Sequence, residues 1–184
     1  MKQALRLIDI QNDYFCNGNM ELVAMEEAAK NAQKLLLRFR EEKQSIFHIQ
    51  HLSIRPQATF FIPNTEGVKT HDLVVPISDE AIIQKHFPNS FRDTMLLEKL
   101  KEAEIEEVVI CGAMSHMCVD ATTRAAFDFG FHCSVIDDAC ATRDLQFKDK
   151  VVEAENVHVS FMAALAVPYA KIISTHDYLT QSQV

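Results

Sequence analysis

Along the chain the spacing of apolar positions switches repeatedly between a strand-like run and a helical repeat. The run ALRLIDI (4–10) is short, apolar and bounded by polar residues, which predicts a strand. Over 25–41, MEEAAKNAQKLLLRFRE, the residues Ala28, Ala32, Leu35, Leu36 and Phe39 recur at helical spacing among strong helix formers. SIFHIQ (45–50) and AIIQK (81–85) read as two further strands. A helix is expected over 91–103, capped by Asn89 or Ser90. EEVVICG (106–112) is the clearest strand, followed by a helix over 116–129 that Gly130 stops. HCSVID (132–137) is the next strand, QFKDKVVEAENVHVSFMAAL carries helical material, and AKIIST (170–175) closes the series.

Strands that alternate with helices imply parallel pairing, with helices on both faces of the sheet. The expected fold is therefore α/β: a three-layer α/β/α sandwich, Rossmann-like, around a mostly parallel six-stranded sheet. Residues 51–80 break the alternation, holding three prolines and little periodicity. A connection that long inside a compact unit is usually a functional loop. The 184 residues are expected to form one domain, since no repeat, low-complexity tract or interior boundary is visible.

Charge and composition narrow the function classes. A formal net charge of −8 argues against nucleic acid and against an anionic membrane surface as partners. No stretch approaches the roughly 20 apolar residues that span a bilayer. The opening MKQALRLIDIQNDY carries carboxylates after only a few apolar residues, unlike a signal peptide. Five unevenly spaced cysteines without a CxxC pair fit neither a disulfide framework nor a zinc ribbon. A cytoplasmic protein with reduced thiols is the expectation, with Cys111, Cys133 and Cys140 as plain core residues.

Cys118 is different. It lies just past a strand, at the first turn of the expected helix, where a thiol is most easily ionised. Ligands in open parallel sheets bind beyond the carboxyl ends of the strands. Asp9 and Lys85 fall at two other such ends. Taken singly, each has an ordinary explanation: a turn, a solvated charge, a buried thiol. Together, a carboxylate, an ammonium and a thiol form a complete apparatus for attacking an amide or ester carbonyl. The carboxylate takes the thiol proton, the ammonium holds both anions, and backbone N–H groups of the turn 112–118 face the developing oxyanion.

Four blocks then carry a resemblance: LIDIQNDY, QKHFPNSF, VVICGAMSHMCVDATTRAAFDFGF and VIDDACATR, in this order over nearly the whole chain. The sequence resembles the isochorismatase-like superfamily of cysteine hydrolases, which includes nicotinamidases and N-carbamoylsarcosine amidohydrolase. The resemblance implies a triad of Asp9, Lys85 and Cys118. It also implies a cis peptide bond between Ala113 and Met114 and an oxyanion hole from the N–H groups of Met114 and Cys118. The reaction it implies is hydrolysis of a small carboxamide or related C–N bond through a thioester, in a homo-oligomer of two or more copies.

Substrate contacts are expected from His51, Phe60, Phe61, Phe87, Phe91, Met114 and His116. Nicotinamidases hold a metal through an Asp-x-His pair and two further histidines. Here Gln50 stands where that aspartate belongs, and His48, His51 and His71 match no ordinary metal spacing. No metal and no cofactor are expected. Asp120 and Arg124 read as an i,i+4 helix pair, Asp13 as a turn residue or a support for Lys85, and Asp137 and Asp138 as structural groups behind the site. The alternatives are a metal-dependent nicotinamidase, a catalytically idle binding member of the superfamily, and a redox role for Cys118.

Overall fold

A computed structural model describes residues 1–181. Eight strands and five α-helices follow one another as β1 (Gln3–Ile8), α1 (Met25–Glu41), β2 (Ser45–His51), β3 (Ala81–Lys85), α2 (Leu96–Glu102), β4 (Glu107–Ala113), α3 (Asp120–Asp128), β5 (His132–Ala141), β6 (Leu145–Phe147), β7 (Lys150–Val152), α4 (Ala154–Leu165), β8 (Lys171–Ile173) and α5 (Thr175–Gln181). Six strands form one sheet in the order β3-β2-β1-β4-β5-β8, and every neighbouring pair is parallel.

Side-chain alternation along the strands sorts the core into two layers. Leu5, Leu7, Val109 and Cys111 face one side, where Leu35, Leu36 and Phe39 of α1 and Tyr178 of α5 pack on them. Ala4, Ile8, Val108 and Ile110 face the other side, covered by Leu96 and Leu100 of α2, Ala126 of α3, and Met162 and Leu165 of α4. Full burial of a side chain such as Leu35 or Phe39 contributes roughly 1.5–3 kcal/mol. The chain runs outward from β1 to β3 on one side and from β4 to β8 on the other, so the connection reverses between β1 and β4. Ligands collect at such a reversal, beyond the carboxyl ends of the two central strands.

Helix α1 covers the expected residues. Glu26 and Glu27 sit in its first turn and Arg38 and Arg40 in its last, each set opposing the helix dipole. Its end is closed by the Gln44 N–H on the Phe39 carbonyl and the Lys43 N–H on the Arg40 carbonyl, with Lys43 in the left-handed region where glycine is usual.

Several elements differ from expectation, among them α3, which begins at Asp120, and β5, which runs on to Ala141. Strand β1 stops at Ile8, because Asp9 adopts φ 51 and leaves the extended region. Helix α2 begins at Leu96 rather than near 91: Asn89 accepts from the Phe91 N–H, and the Thr94 hydroxyl donates to the Ser90 carbonyl. Such short side chains offer the backbone an alternative to the helix. Part of the stretch expected to be helical is instead the hairpin β6–β7, paired from Leu145–Val152 to Phe147–Lys150 around Lys148 at φ 57. Finally, β8 is short and α5 follows it, its start fixed by Asp138, which accepts from both the N–H and the hydroxyl of Thr175.

Candidate active site

Three strand ends deliver the three reactive groups. Asp9 follows β1, Lys85 ends β3, and Cys118 lies on a single π-helical turn, Ser115–Val119, between β4 and α3. Gly112 permits the crowding: a Cβ there would stand 2.0 Å from the Ile8 carbonyl oxygen, and its φ of +117 already favours glycine. The Ala113–Met114 peptide bond is cis. The Met114 N–H makes no backbone hydrogen bond among the described residues.

The three groups meet. Lys85 Nζ donates to Asp9 Oδ2 at 2.8 Å and to Cys118 Sγ at 3.3 Å, with all three residues buried. It also reaches His51 Nδ1 at 3.0 Å and the Phe87 carbonyl at 3.1 Å. An ammonium has three protons for these four acceptors, so the sulfur, at the longest distance, is the contact most easily given up. Asp9 Oδ1 is buried and accepts no hydrogen bond. One carboxylate oxygen is thus committed to the ammonium, and the other is left for a proton.

The electrostatics correct one expectation. Sequence reasoning placed Lys85 and the helix end so as to hold the sulfur ionised. Burial instead pushes the Cys118 thiol up, the Asp9 carboxylate pushes it further, and the Lys85 ammonium opposes both without winning. Ionising the sulfur would put two negative charges beside one positive charge in a dry site. At rest the group is a thiol beside a carboxylate–ammonium pair. Burial pushes the Lys85 ammonium down, but Asp9 and Cys118 overcome this and the net shift is up. His51 is lowered to about 4 by burial and by Lys85. It is therefore neutral, accepts from Lys85 through Nδ1, and carries its proton on Nε2.

A cavity of about 350 Å³ opens onto Cys118. His51, Phe60, Phe61, Phe87 and Met114 line it as expected, and so do Tyr14, Arg55 and His86, which sequence reasoning missed. A larger hollow of about 580 Å³ beside Arg40 and Glu80 is lined by no cysteine and lies away from Cys118, so size alone does not locate the chemistry.

Two expected substrate contacts lie elsewhere. Phe91 packs against Phe129 and Phe131 on the opposite core layer, with the Arg6 guanidinium 4.8 Å from its ring. His116 turns away from the cavity, bonding Thr142 Oγ1 at 2.6 Å and packing edge-on against Phe161. Both were placed in the cavity because they neighbour Lys85 and Cys118 in the chain, but the turn at 89–95 and the π-turn point them outward.

The long loop is held by groups whose role the sequence left open. Asp13, almost fully buried, accepts from the Phe61 N–H at 2.6 Å and from Asn19. It supports the cavity wall rather than Lys85. Gly67 sits against the same carboxylate, where a Cβ would overlap it. The Gln11 amide brackets His51, accepting from its N–H at 2.7 Å and donating to its carbonyl at 3.0 Å. Asp120 and Arg124 form the expected helix pair at 2.9 Å.

The residues do not fit a bound metal. His48 bonds Glu80, and His71 caps a turn while stacking on Phe15. Asp9, His51 and Cys118 bring ligand atoms within 4.8 Å of one another, but the Lys85 ammonium lies within bonding distance of all three. A cation would have to displace it. Among the described residues, no helix is long and apolar enough to cross a membrane.

Comparisons with known proteins agree with this architecture. The isochorismatase domain model matches residues 3–172. An uncharacterized isochorismatase family protein, YddQ of Bacillus subtilis, is 52% identical over 179 residues, covering 97% of this chain and 99% of that protein. Streptothricin hydrolase of Streptomyces noursei is 31% identical over 165 residues, covering 88% of this chain and 58% of that protein. A crystal structure of an isochorismatase from Pseudomonas putida superposes with a TM-score of 0.90 at 35% identity, covering 95% of this chain and 89% of that one. With a family model over nearly its whole length and a full-length relative more than half identical, this chain belongs to the isochorismatase family of hydrolases.

Proposed function

We propose that the protein hydrolyses a small carboxamide or related C–N bond, with Cys118 as nucleophile, Asp9 as general base and then acid, and Lys85 as the fixed countercharge. The observation that carries this reading is the contact of one ammonium with both a free-edged carboxylate and a thiol, 2.8 and 3.3 Å away, where that thiol faces a largely apolar cavity.

The cycle starts from the thiol. As sulfur attacks the carbonyl carbon, its proton passes to Asp9 Oδ1 and the C=O pair moves onto oxygen. Asp9 is then neutral, Lys85 offsets the single negative charge now on the substrate oxygen, and the N–H groups of Met114 and Cys118 face that oxyanion. Collapse of the tetrahedral adduct breaks the C–N bond, and Asp9 returns the proton to the departing nitrogen. Water next gives a proton to Asp9 as it attacks the thioester, and the acid leaves as sulfur recovers its proton. A base used only while the bond forms lets a buried thiol stay neutral between turnovers, which fits its raised pKa.

Streptothricin hydrolase, among the relatives, acts on a substrate that its name gives, and amide hydrolysis is carried to this chain as part of the proposal. The test is an ammonia-release screen over small carboxamides with wild type and Cys118→Ala. Loss of all release in the variant is expected, and undiminished release refutes the nucleophile.

A further inference from the structure

The cavity's polar side chains are mostly donors. Tyr14 is almost fully buried, and its hydroxyl has no partner among the described residues. His51 presents Nε2–H, since Nδ1 is taken by Lys85. Arg55 lines the same space, and its guanidinium has no hydrogen bond or ion pair among the described residues. His86 spends Nδ1 on the Leu52 carbonyl at 2.9 Å. Among the described residues no carboxylate lines the cavity, and Asp9, beside it, is bound to Lys85.

Arg55 is set apart from the other arginines. Arg38, Arg40 and Arg124 pair with Glu42, Glu80 and Asp120. Arg92 lies over the Phe87 ring, and Arg6 is enclosed by Phe91 and Phe131. Arg143 has no hydrogen bond or ion pair among the described residues either, but it does not line the cavity, and its charge acts on Tyr14 and His116. Arg55 is exposed at the rim of the cavity, and in a chain with 26 acidic residues against 18 basic ones its guanidinium is left to solvent or to a bound anion.

Its backbone is also fixed. The Leu52 N–H bonds the Lys85 carbonyl, the Ser53 N–H bonds the Phe61 carbonyl, and the Ala58 N–H closes a turn on the Arg55 carbonyl. Pro56 disfavours the helical region for Arg55. The guanidinium thus hangs from a segment tied directly to the catalytic lysine and the cavity wall, and its field is one of those that lower His51.

We propose that the cavity selects carboxamides that also carry a carboxylate, with Arg55 as the group that receives it. The planar fork of a guanidinium matches a carboxylate in two hydrogen bonds, Tyr14 and His51 add donors, and the apolar walls hold the carbon chain between. This rests on the hydrolase reading and names its substrate class. A cationic amide meets no free acceptor charge there.

The test compares malonamate, succinamate and glutaramate with their uncharged counterparts propionamide, butyramide and valeramide. Wild type, Arg55→Met and Arg55→Lys are assayed for kcat and KM. The expected result is a preference for the anionic member, falling at least tenfold in Arg55→Met, mostly through KM. Arg55→Lys should recover part of it, and added salt should weaken it in wild type. Equal losses for anionic and neutral amides, or no loss, overturn the proposal.

If no amide in the panel is turned over, the hydrolase reading fails by itself. Charge selection is then read from protection of Cys118 against iodoacetamide by the same acids. Arg55-dependent protection by the anions supports the site, and protection that is absent or insensitive to Arg55→Met rejects it.

Discussion

Replacing Asp9 with Asn should do two opposite things to Cys118: abolish hydrolysis, yet make the sulfur more reactive toward a simple alkylating agent. In the proposed cycle the carboxylate is the base, so its loss should remove a contribution of about 10²–10⁴-fold to rate. It is also one of the groups that keep the sulfur protonated, second only to burial. Its ligand atom lies within 4.8 Å of Cys118 Sγ. At an effective dielectric of about 20, two like charges at roughly that separation repel by about 3.5 kcal/mol, or about 2.5 pKa units. The thiolate fraction at fixed pH then rises about 300-fold, while the lower basicity of the sulfur reduces its intrinsic nucleophilicity about 13-fold. A net gain of roughly 20-fold in alkylation rate is expected.

The assay follows carboxamidomethylation of the Cys118 peptide by mass spectrometry in wild type and Asp9→Asn at one mildly alkaline pH. Cys16, which is exposed, serves as the internal standard. Alkylation equal to or slower than wild type in a folded Asp9→Asn protein would show that the carboxylate is not what holds the proton on sulfur.

Lys85→Met leaves Asp9 buried without its countercharge, and a loss of about 3–5 kcal/mol in unfolding free energy is expected by denaturant titration. Arg6 is fully buried, makes no side-chain hydrogen bond, and is lowered to about 9 by burial. Arg6→Met removes a desolvation cost of about 1–3 kcal/mol or more against a cation–π gain of about 0.5–2 kcal/mol. A rise in Tm by calorimetry is expected, and a fall contradicts the balance. Burial pushes the Glu80 carboxyl up, but Arg40, the Ile77 N–H and His48 bring it down to about 2. Its stabilisation is therefore complete above about pH 4.5 and lost as pH falls through about 2. The deficit of Glu80→Gln, on the order of 1–3 kcal/mol near neutrality, should shrink across that window in acid titrations. Asp13→Ala frees the Phe61 N–H and the cavity wall, and KM should rise more than kcat falls.

Much of this was legible in the sequence because period and composition coincide there. Helix α1, with five apolar positions on one face, and β4, with its β-branched run, appear where patterning puts them. Asp9, Lys85 and Cys118 could be read together for another reason: each lies at or just past the carboxyl end of a strand, and a parallel sheet brings such ends together. The misses have local causes. The hairpin around Lys148 has no glycine, and its Leu, Gln and Lys residues belong equally to helices. Phe91 and His116 were placed by proximity in the chain, but side-chain direction depends on a turn and a π-turn that no periodicity marks. Arg55 reaches the cavity through the path of the long loop and Tyr14 through the short turn Asn12–Tyr14 after β1, neither of which has a repeat to read. The raised Cys118 pKa needed burial, which a list of neighbouring charges does not contain.

The central claim is that Cys118 carries the acyl group between the two halves of the reaction. Its most direct test is rapid quenching of wild type with a carboxamide it turns over, followed by mass analysis of the Cys118 peptide. The account predicts an acyl adduct on that sulfur, formed before product accumulates and absent from Cys118→Ala. Steady turnover with no adduct on Cys118, or with activity retained in the alanine variant, would contradict it.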